Sequence, residues 1–324
     1  MSITLRPFRY DEADYAALAM IRRAVWPEYP FTVAEYRRWD EKREARLAFT
    51  RLVAEADGQA VGMAQAENVP WMYHPRKFFF SVFVHPEYRR RGAGARLYNG
   101  LMAAIAEHRP LALRHAIRED YPEGLRFLAA RGFAEEMRAW ESRLDLAAFD
   151  PAPFAGVEER VAAHGITIAT AAELIAGDPD FWPKLYACDC EASLDVPMPE
   201  PYTPPPLEEW VKYFKDNPNF LPDAYFVALD GGRYVGMSAL WRREASPELD
   251  TGFTGVLRSH RRMGIALALK LRAIAYARAA GAPVVRTDNA STNRPMLSIN
   301  EALGFVKQPA WITMVRKAEG AGAA

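Results

Sequence analysis

The chain has 324 residues, a length that suits two domains of about 150 to 170 residues each. Lys plus Arg and Asp plus Glu number 41 each, so the molecule has no excess charge to attract nucleic acid or an anionic membrane. The two cysteines, Cys188 and Cys190, are too close together for a disulfide framework and too few for a zinc site. There is no apolar stretch of about 18 residues and no leader-like N-terminus. We therefore expect a reduced, cytoplasmic protein without a metal, a nucleic-acid partner or a membrane partner.

The hydrophobic pattern predicts the same order of strands and helices in each half of the chain. In the first half the predicted elements cover residues 3–6, 11–25, 32–44, 49–56, 59–67, 77–84, 92–108, 111–116, 124–130 and 134–144. In the second half they cover residues 166–169, 180–192, 207–216, 224–229, 233–241, 248–256, 264–280, 284–288, 293–302 and 305–316. The proline-containing segment 149–165 predicts a linker between an N-terminal domain, 1–148, and a C-terminal domain, 166–324.

Two short segments recur along the chain. Arg89–Gly94 is repeated as Arg261–Ala266, and Arg131–Phe133 is repeated as Leu303–Phe305. Both matches have the same shift of 172 residues, from 89 to 261 and from 132 to 304. Two matches at one shift indicate a duplicated domain.

The repeated segment has the composition of an anion-binding turn. Each copy lies between an apolar strand and a helical pattern, and Gly92, Gly94 and Gly264 allow a tight turn with close backbone approach. Free amides at a helix start, together with the helix dipole and the arginines, favour a diphosphate. A Walker loop is excluded because no Gly-Lys-Ser/Thr follows, and the late position of the turn in each half disfavours a dinucleotide fold.

These residues resemble the Arg/Gln-x-x-Gly-x-Gly/Ala signature of the GNAT N-acetyltransferase superfamily. A later helix of that family resembles Asn293–Phe305 and, more loosely, Tyr121–Phe133. The resemblance covers nearly the whole chain, once per half. It implies an α+β fold with two tandem domains, each a mostly antiparallel sheet flanked by helices, and acetyl-CoA as co-substrate.

The same resemblance implies the residues that would hold coenzyme A. The strand ends would pair with the pantetheine arm, and the amides of the turns would hold the pyrophosphate. In the first half these residues are Val82, Phe83, Val84, Arg89, Arg90, Arg91, Gly92, Ala93 and Gly94. In the second half they are Thr254, Gly255, Val256, Arg261, Arg262, Met263, Gly264, Ile265, Ala266 and Asn293.

Acetyl transfer to an amine requires a neutral amine, a polarised carbonyl and a proton for the departing thiolate. Many family members use a tyrosine as that acid, but the corresponding positions hold Leu128 and Asn300. Because Asn293 is retained in the second half where the first has Tyr121, we expect the chemistry mainly in the second half. Asp250 is the candidate base, directly or through water, and Asn300 could orient the acceptor. Both residues could equally be ordinary polar side chains of a strand and a helix.

Two further groups of residues are candidates for the acceptor site. In the first half, Glu67 with nearby His74 could serve as a base. In the second half, four carboxylates lie in the stretch assigned to the loop that joins the first two helices, which prolines between residues 197 and 206 stiffen: Asp189, Glu191, Asp195 and Glu200. By the family resemblance this segment would cover the acceptor, so its charge predicts a cationic amine, although a merely solvated loop has the same composition.

Two functions remain open from the sequence. The first is an acetyl-CoA-dependent N-acetyltransferase that acts on the amine of a small molecule. The alternative is an acyl-CoA-binding module in which one or both halves hold the ligand for a structural or sensory purpose.

Overall fold

The computed structural model describes residues 2–318, which divide into two compact units. The first unit contains the chain through Glu136 and the segment from Ile312 onward, and the second contains Met137–Trp311. The boundary predicted at residues 149–165 follows the sequence repeat and stays a prediction. In the part of the chain that is described, no helix is both long and apolar enough to cross a membrane.

The elements follow one another in the order that the repeat predicts, with two additional short helices and with the predicted last strand, 305–316, divided into β12 and β13. Through the first repeat they are β1 (Ile3–Pro7), α1 (Glu12–Val25), α2 (Val33–Glu41), β2 (Phe49–Ala56), β3 (Gln59–Glu67), β4 (Lys77–Val84), α3 (Ala93–Ala104), β5 (Ala112–Arg118), α4 (Pro122–Ala129) and β6 (Ala134–Asp145). They continue as α5 (Val157–Ala163), β7 (Ile166–Thr170), α6 (Ala171–Gly177), α7 (Phe181–Ser193), α8 (Leu207–Lys215), β8 (Phe220–Asp230), β9 (Arg233–Arg243), β10 (Ser246–Val256), α9 (Ile265–Ala279), β11 (Val284–Ala290), α10 (Arg294–Ala302), β12 (Val306–Lys307) and β13 (Trp311–Lys317).

Both units have the same strand order. The first runs β1-β2-β3-β4-β5-β13, and the second runs β7-β8-β9-β10-β11-β6 with the short β12 beside β6. The pairs from β1 to β4 and from β7 to β10 are antiparallel, whereas β4–β5 and β10–β11 are parallel. The predicted fold class of two mostly antiparallel sheets flanked by helices is therefore confirmed.

The last strand of each repeat does not join the unit that contains the rest of that repeat. Sequence order would assign β6 to the first half, but it pairs with β11 in the second unit, Val284 lying opposite Asp145. Sequence order would likewise assign β13 to the second half, but from Ile312 onward it belongs to the first unit, where Ile312 and Met314 enter the core.

Local chemistry explains the helices that support the site. Asp11 accepts a hydrogen bond from the amide of Asp14 at the start of α1, and Thr32 forms a capping box with Glu35 at the start of α2. The two unpredicted helices, α5 and α6, are only seven residues long. Helix α5 lies inside the predicted linker, and α6 begins at a second capping box, formed by Thr170.

Candidate active site

The two repeated turns have the same backbone conformation. Arg90 and Gly92 have φ values of 63° and 87°, and Arg262 and Gly264 have φ values of 65° and 81°. Gly92 and Gly264 are the N-caps of α3 and α9, and neither helix start has a side-chain cap hydrogen bond. The first amides of each helix are therefore available to an anion.

An arginine braces each turn against the strand that precedes it. The Nε of Arg89 donates to the carbonyl of Val84 at 3.3 Å, and the Nε of Arg261 donates to the carbonyl of Val256 at 3.0 Å. The sequence indicates these arginines as sources of positive charge, whereas their hydrogen bonds to the strands are seen only in the structure. Ala93 and Ile265 are each only 1% exposed, so they could contact a ligand only through their backbone.

The strands that lead into the turns separate from their neighbours before they end. Parallel pairing of β4 with β5 runs from Lys77 to Phe79, and that of β10 with β11 covers Leu249 and Asp250. Beyond this fork the backbone edges of β4 and β10 can accept an added extended chain. The predicted pantetheine-binding residues, 82–84 and 254–256, lie on these edges.

In the first unit a histidine lies at the fork. The Nδ1 of His115 is 2.8 Å from the carbonyl oxygen of Phe80. Burial lowers the pKa of His115 to about 4, so the ring is neutral at pH 7 and Nδ1–H donates this hydrogen bond. The sequence gave no signal for this contact, because it joins two different strands.

In the second unit the corresponding strand carries a β-bulge. Thr251 pairs with Leu240 and Thr254 with Ser238, so Gly252 and one further residue of β10 oppose a single residue of β9. The pairing of β3 with β4 in the first unit has no such shift. A Cβ at Gly252 would lie 2.3 Å from the Nε1 of Trp241, which explains the glycine. A bulge leaves backbone groups outside the ladder, here next to the fork.

Charged side chains lie on one face of the second sheet, at the same end as the bulge. Both oxygens of Asp250 accept hydrogen bonds from Arg243, at 2.7 and 3.0 Å. Arg286 pairs with Glu248 and lies 3.8 Å from the buried Glu141. Alternation along the strands brings acidic and basic residues of β6, β9, β10 and β11 into one network.

Asp288 is the member of this network with the most strongly perturbed pKa. The residue is exposed overall, yet the surroundings of its carboxyl raise the pKa to about 7, chiefly by desolvation and then through the charges of Glu141 and Asp250. Burial also raises the pKa of Asp250 against the opposing effect of Arg243.

Aromatic side chains lie beside these carboxylates. Trp241 is paired with Asp250 across the two strands, and the ring of Tyr213 from α8 is 5.4 Å from the ring of Trp241. Tyr213 is 54% exposed, although desolvation raises the pKa of its phenol. These carboxylates and rings can therefore bind a polar or cationic group.

The two asparagines predicted for the second half have structural contacts of their own. Asn293 caps α10 by accepting a hydrogen bond from the amide of Met296 at 3.4 Å. Asn300 is 1% exposed and donates to the side chain of Asn289 at 2.6 Å. Asp250 and Asn300 thus have different partners, and their catalytic roles stay predictions.

The corresponding positions of the first unit are differently occupied. The hydroxyl of Tyr121 donates to the carbonyl of Val25 at 3.2 Å, and its ring is 4.2 Å from that of Trp26. Leu128 is buried in the core. Burial raises the pKa of Glu67, which accepts a hydrogen bond from Gln65.

The prediction of a negatively charged loop is wrong for two of its four carboxylates, and the position of this loop over the acceptor stays a prediction. Asp189 and Glu191 lie on α7 rather than in a loop. Asp189 accepts a hydrogen bond from the Nε1 of Trp210 at 3.2 Å, and burial raises its pKa to about 6. Asp195 is paired with Arg258 and Arg261 of the turn, so its charge is already balanced by arginines.

The comparison with family models identifies the chain. The model "Acetyltransferase (GNAT) family" matches residues 16–133 and again 187–305, together well over half of the chain. The protein belongs to the GNAT acetyltransferase family. The two matches correspond to the two repeats, and the chain is accordingly an acyltransferase with a tandem layout.

Curated relatives match most of the length of the chain. A mycothiol acetyltransferase of Thermobifida fusca (strain YX) is 30% identical over 240 residues, covering 69% of this chain and 70% of the relative. A mycothiol acetyltransferase of Nocardioides sp. (strain ATCC BAA-499 / JS614) is 24% identical, covering 82% of this chain and 95% of the relative. The chain therefore resembles mycothiol synthase, a tandem member of the family.

Solved structures share the fold over the whole chain. A tandem GNAT protein from the clavulanic acid biosynthesis pathway has a TM-score of 0.74 at 19% identity, with 100% of both chains covered. A GCN5-related N-acetyltransferase from Sphaerobacter thermophilus has a TM-score of 0.71 at 20% identity, covering 97% of this chain and 95% of its own. At these identities the likeness concerns the fold.

Proposed function

We propose that the protein transfers the acetyl group of acetyl-CoA to the amine of a small molecule, and that the second unit performs the chemistry. The observation that carries this proposal is the combination found in that unit. The second unit has an open anion-binding turn at Gly264, which follows a forked and bulged β10. The carboxylates Asp250 and Asp288 lie on β10 and on its neighbour β11. The bulge supports the choice of unit, since β4 has none.

The proposed reaction assigns a task to each group. The amine nitrogen attacks the thioester carbon, the C–S bond breaks, and the thiolate takes up a proton. Backbone amides freed by the bulge are suitable donors to the oxyanion. Asp250, oriented by Arg243, would accept the amine proton directly or through water. The carboxyl of Asp288 has no hydrogen bond or ion pair within the described residues, so it can pair with an incoming ammonium group.

The acceptor is proposed to be a small cationic amine. The carboxyls of Asp250 and Asp288 attract positive charge, and Trp241 and Tyr213 supply an aromatic surface. Because the curated relatives are mycothiol acetyltransferases, an acceptor of the mycothiol type belongs in the first panel of amines. Both cysteines are free thiols, in keeping with a proposed cytoplasmic location.

Thiol release from acetyl-CoA across a panel of amines tests the proposal. The parent should release thiol with at least one cationic amine, and Asp288→Asn should raise KM for that amine. Asp145→Asn is the control for loss of a carboxylate, since Asp145 is an exposed residue at the end of β6. Equal kinetics for the two variants would contradict the role of Asp288.

The alternative of a non-catalytic acyl-CoA site applies best to the first unit. There β4 has no bulge, and Tyr121 is fixed to Val25 and Trp26. Acetyl-CoA binding at Gly92 that survives a Gly264→Glu substitution, without turnover, would favour a binding role for this unit. Binding without thiol release in the parent across the whole panel would extend that role to both units.

A further inference from the structure

The first sheet carries a row of polar side chains on the face that α1 and α2 cover. Arg51 of β2, Gln65 of β3 and Ser81 of β4 are direct cross-strand partners, so their side chains lie on the same face. Phe83, two residues after Ser81, lies on this face as well. The guanidinium of Arg22 from α1 is 5.6 Å from the ring of Phe83.

Several polar atoms in this region are buried without a partner. They are the Nε of Arg22, the hydroxyl of Tyr36 and the Oγ of Ser81. Tyr36 is 4% exposed, and burial raises the pKa of its phenol, against the opposing effects of the charges of Arg22 and Arg51 and of a side-chain interaction with Arg22. Buried polar groups in native proteins almost always have partners. Among the described residues, the polar side-chain atoms of Arg22 and Tyr36 have no close polar partner except each other, while Ser81 Oγ has no partner, which indicates a missing ligand group.

The charges of the neighbourhood favour an anion. Arg51 and Arg43 are both paired with Asp40. Arg22, in contrast, forms no ion pair within the described part of the chain, and its guanidinium lies 4.5 Å from the ring of Phe31. A half-buried guanidinium without a counterion, next to the hydroxyl of Tyr36 and on the same side of the sheet as that of Ser81, is suited to a carboxylate.

The second unit does not repeat this arrangement. In each unit an alanine pairs with a glycine in the hairpin: Ala54 with Gly62 in the first and Ala228 with Gly236 in the second. Three residues farther from the turn, the paired residues are Arg51 and Gln65 in the first unit but Tyr225 and Ala239 in the second. The residue 172 positions after Ser81 is Phe253. The polar row is therefore specific to the first unit.

We infer that the first unit binds a carboxylate group through Arg22, Tyr36 and Ser81, between α1, α2 and the C-terminal half of β4. The carboxylate belongs either to a free small molecule or to the distal end of an acyl-CoA whose pantetheine follows β4. The second source rests on the proposed coenzyme A binding, whereas the first does not.

Titration calorimetry with matched probes separates these sources. The free-acid arm compares succinate with its diamide, and the thioester arm compares succinyl-CoA with acetyl-CoA. In one arm we expect the carboxylate probe to bind the parent at least tenfold more tightly than its partner. Arg22→Met should abolish that preference, and Arg23→Met, an exposed neighbour on α1, should preserve it.

Each outcome decides the inference. No carboxylate preference in either arm, or a preference that persists in Arg22→Met, overturns it, as does a crystal structure grown with the probes that shows only water at these atoms. Should Arg22→Met fail to fold, Tyr36→Phe and Ser81→Ala replace it, each with an expected loss of several-fold in the preference. Succinate binding without acetyl-CoA binding would refute the proposed function and leave this site intact.

Discussion

Replacing Gly264 by Glu tests the assignment of the turn, and the chain offers a matched control at the other end of the same helix. Gly264 has a φ of 81° and precedes α9, while Gly281 has a φ of 73° and follows it. A Cβ at Gly264 would meet only Val161, at an ordinary 3.5 Å, and a Cβ at Gly281 would meet nothing within 4 Å. Both substitutions place the same side chain on left-handed backbone, at a similar cost of ~1–2 kcal/mol.

The expected loss of affinity follows from the charge. A carboxylate ~6 Å from a phosphate charge costs about 1.4–2.8 kcal/mol at an effective dielectric constant of ~20–40, which is a tenfold or greater loss of acetyl-CoA affinity at this unit. Gly281 lies roughly 25 Å farther along the helix axis, beyond the Debye length of about 8 Å at physiological salt. Gly281→Glu should therefore bind as the parent does.

Calorimetry at physiological salt, with thermal unfolding as a check, measures both variants. A negative charge favours a helix N-terminus, so Gly264→Glu should be at least as stable as Gly281→Glu. Weaker binding could then not be ascribed to unfolding. A folded Gly264→Glu variant with parental affinity at the second unit would refute the assignment of the diphosphate site.

Three further predictions are measured by thiol release or by calorimetry. Gly264→Glu should lower turnover at least tenfold more than Gly92→Glu, and equal losses would show that the chemistry is not confined to the second unit. KM for a cationic amine should fall as pH rises through about 7, because the raised pKa of Asp288 leaves its carboxyl neutral below that value; Asp288→Asn should flatten this dependence, and a neutral acceptor should not show it. Asp195→Asn should tighten acetyl-CoA binding, because Asp195 pairs with an arginine of the turn.

The sequence predicts the strands around the site well because their signals are local. The bounds predicted for β2, β3 and β4 agree with the structure. Asp57 and Gly58 between β2 and β3 adopt φ values of 50° and 80°, as a tight hairpin turn requires. The turn glycines are visible for the same reason, since positive φ favours glycine at that single position.

Features that depend on distant partners could not be predicted in this way. The bulge in β10 is a matter of register against β9, and the pKa of Asp288 depends on Glu141, far away in sequence. Helix α5 was missed because seven residues give too little periodicity within a proline-containing segment. The pairing of β6 with β11 likewise joins strands from different repeats, and no local sequence pattern indicates it.

Asp195 shows how charge composition alone can mislead about the acceptor. The Nε of Arg258 and a terminal nitrogen of Arg261 donate to its Oδ2 at 2.8 and 2.6 Å, and these bonds hold the pKa of its carboxyl well below the ordinary value. A partly exposed ion pair such as that between Asp195 and Arg261 contributes ~1 kcal/mol at most. A diphosphate that binds Arg261 must displace this pair. Asp195→Asn should therefore tighten acetyl-CoA binding about threefold to fivefold, and the gain should shrink as salt rises. Glu208→Gln, an equal charge change at an exposed position of α8, should have no effect. A raised KM for cationic amines with unchanged acetyl-CoA affinity would instead restore the carboxylate to the acceptor site.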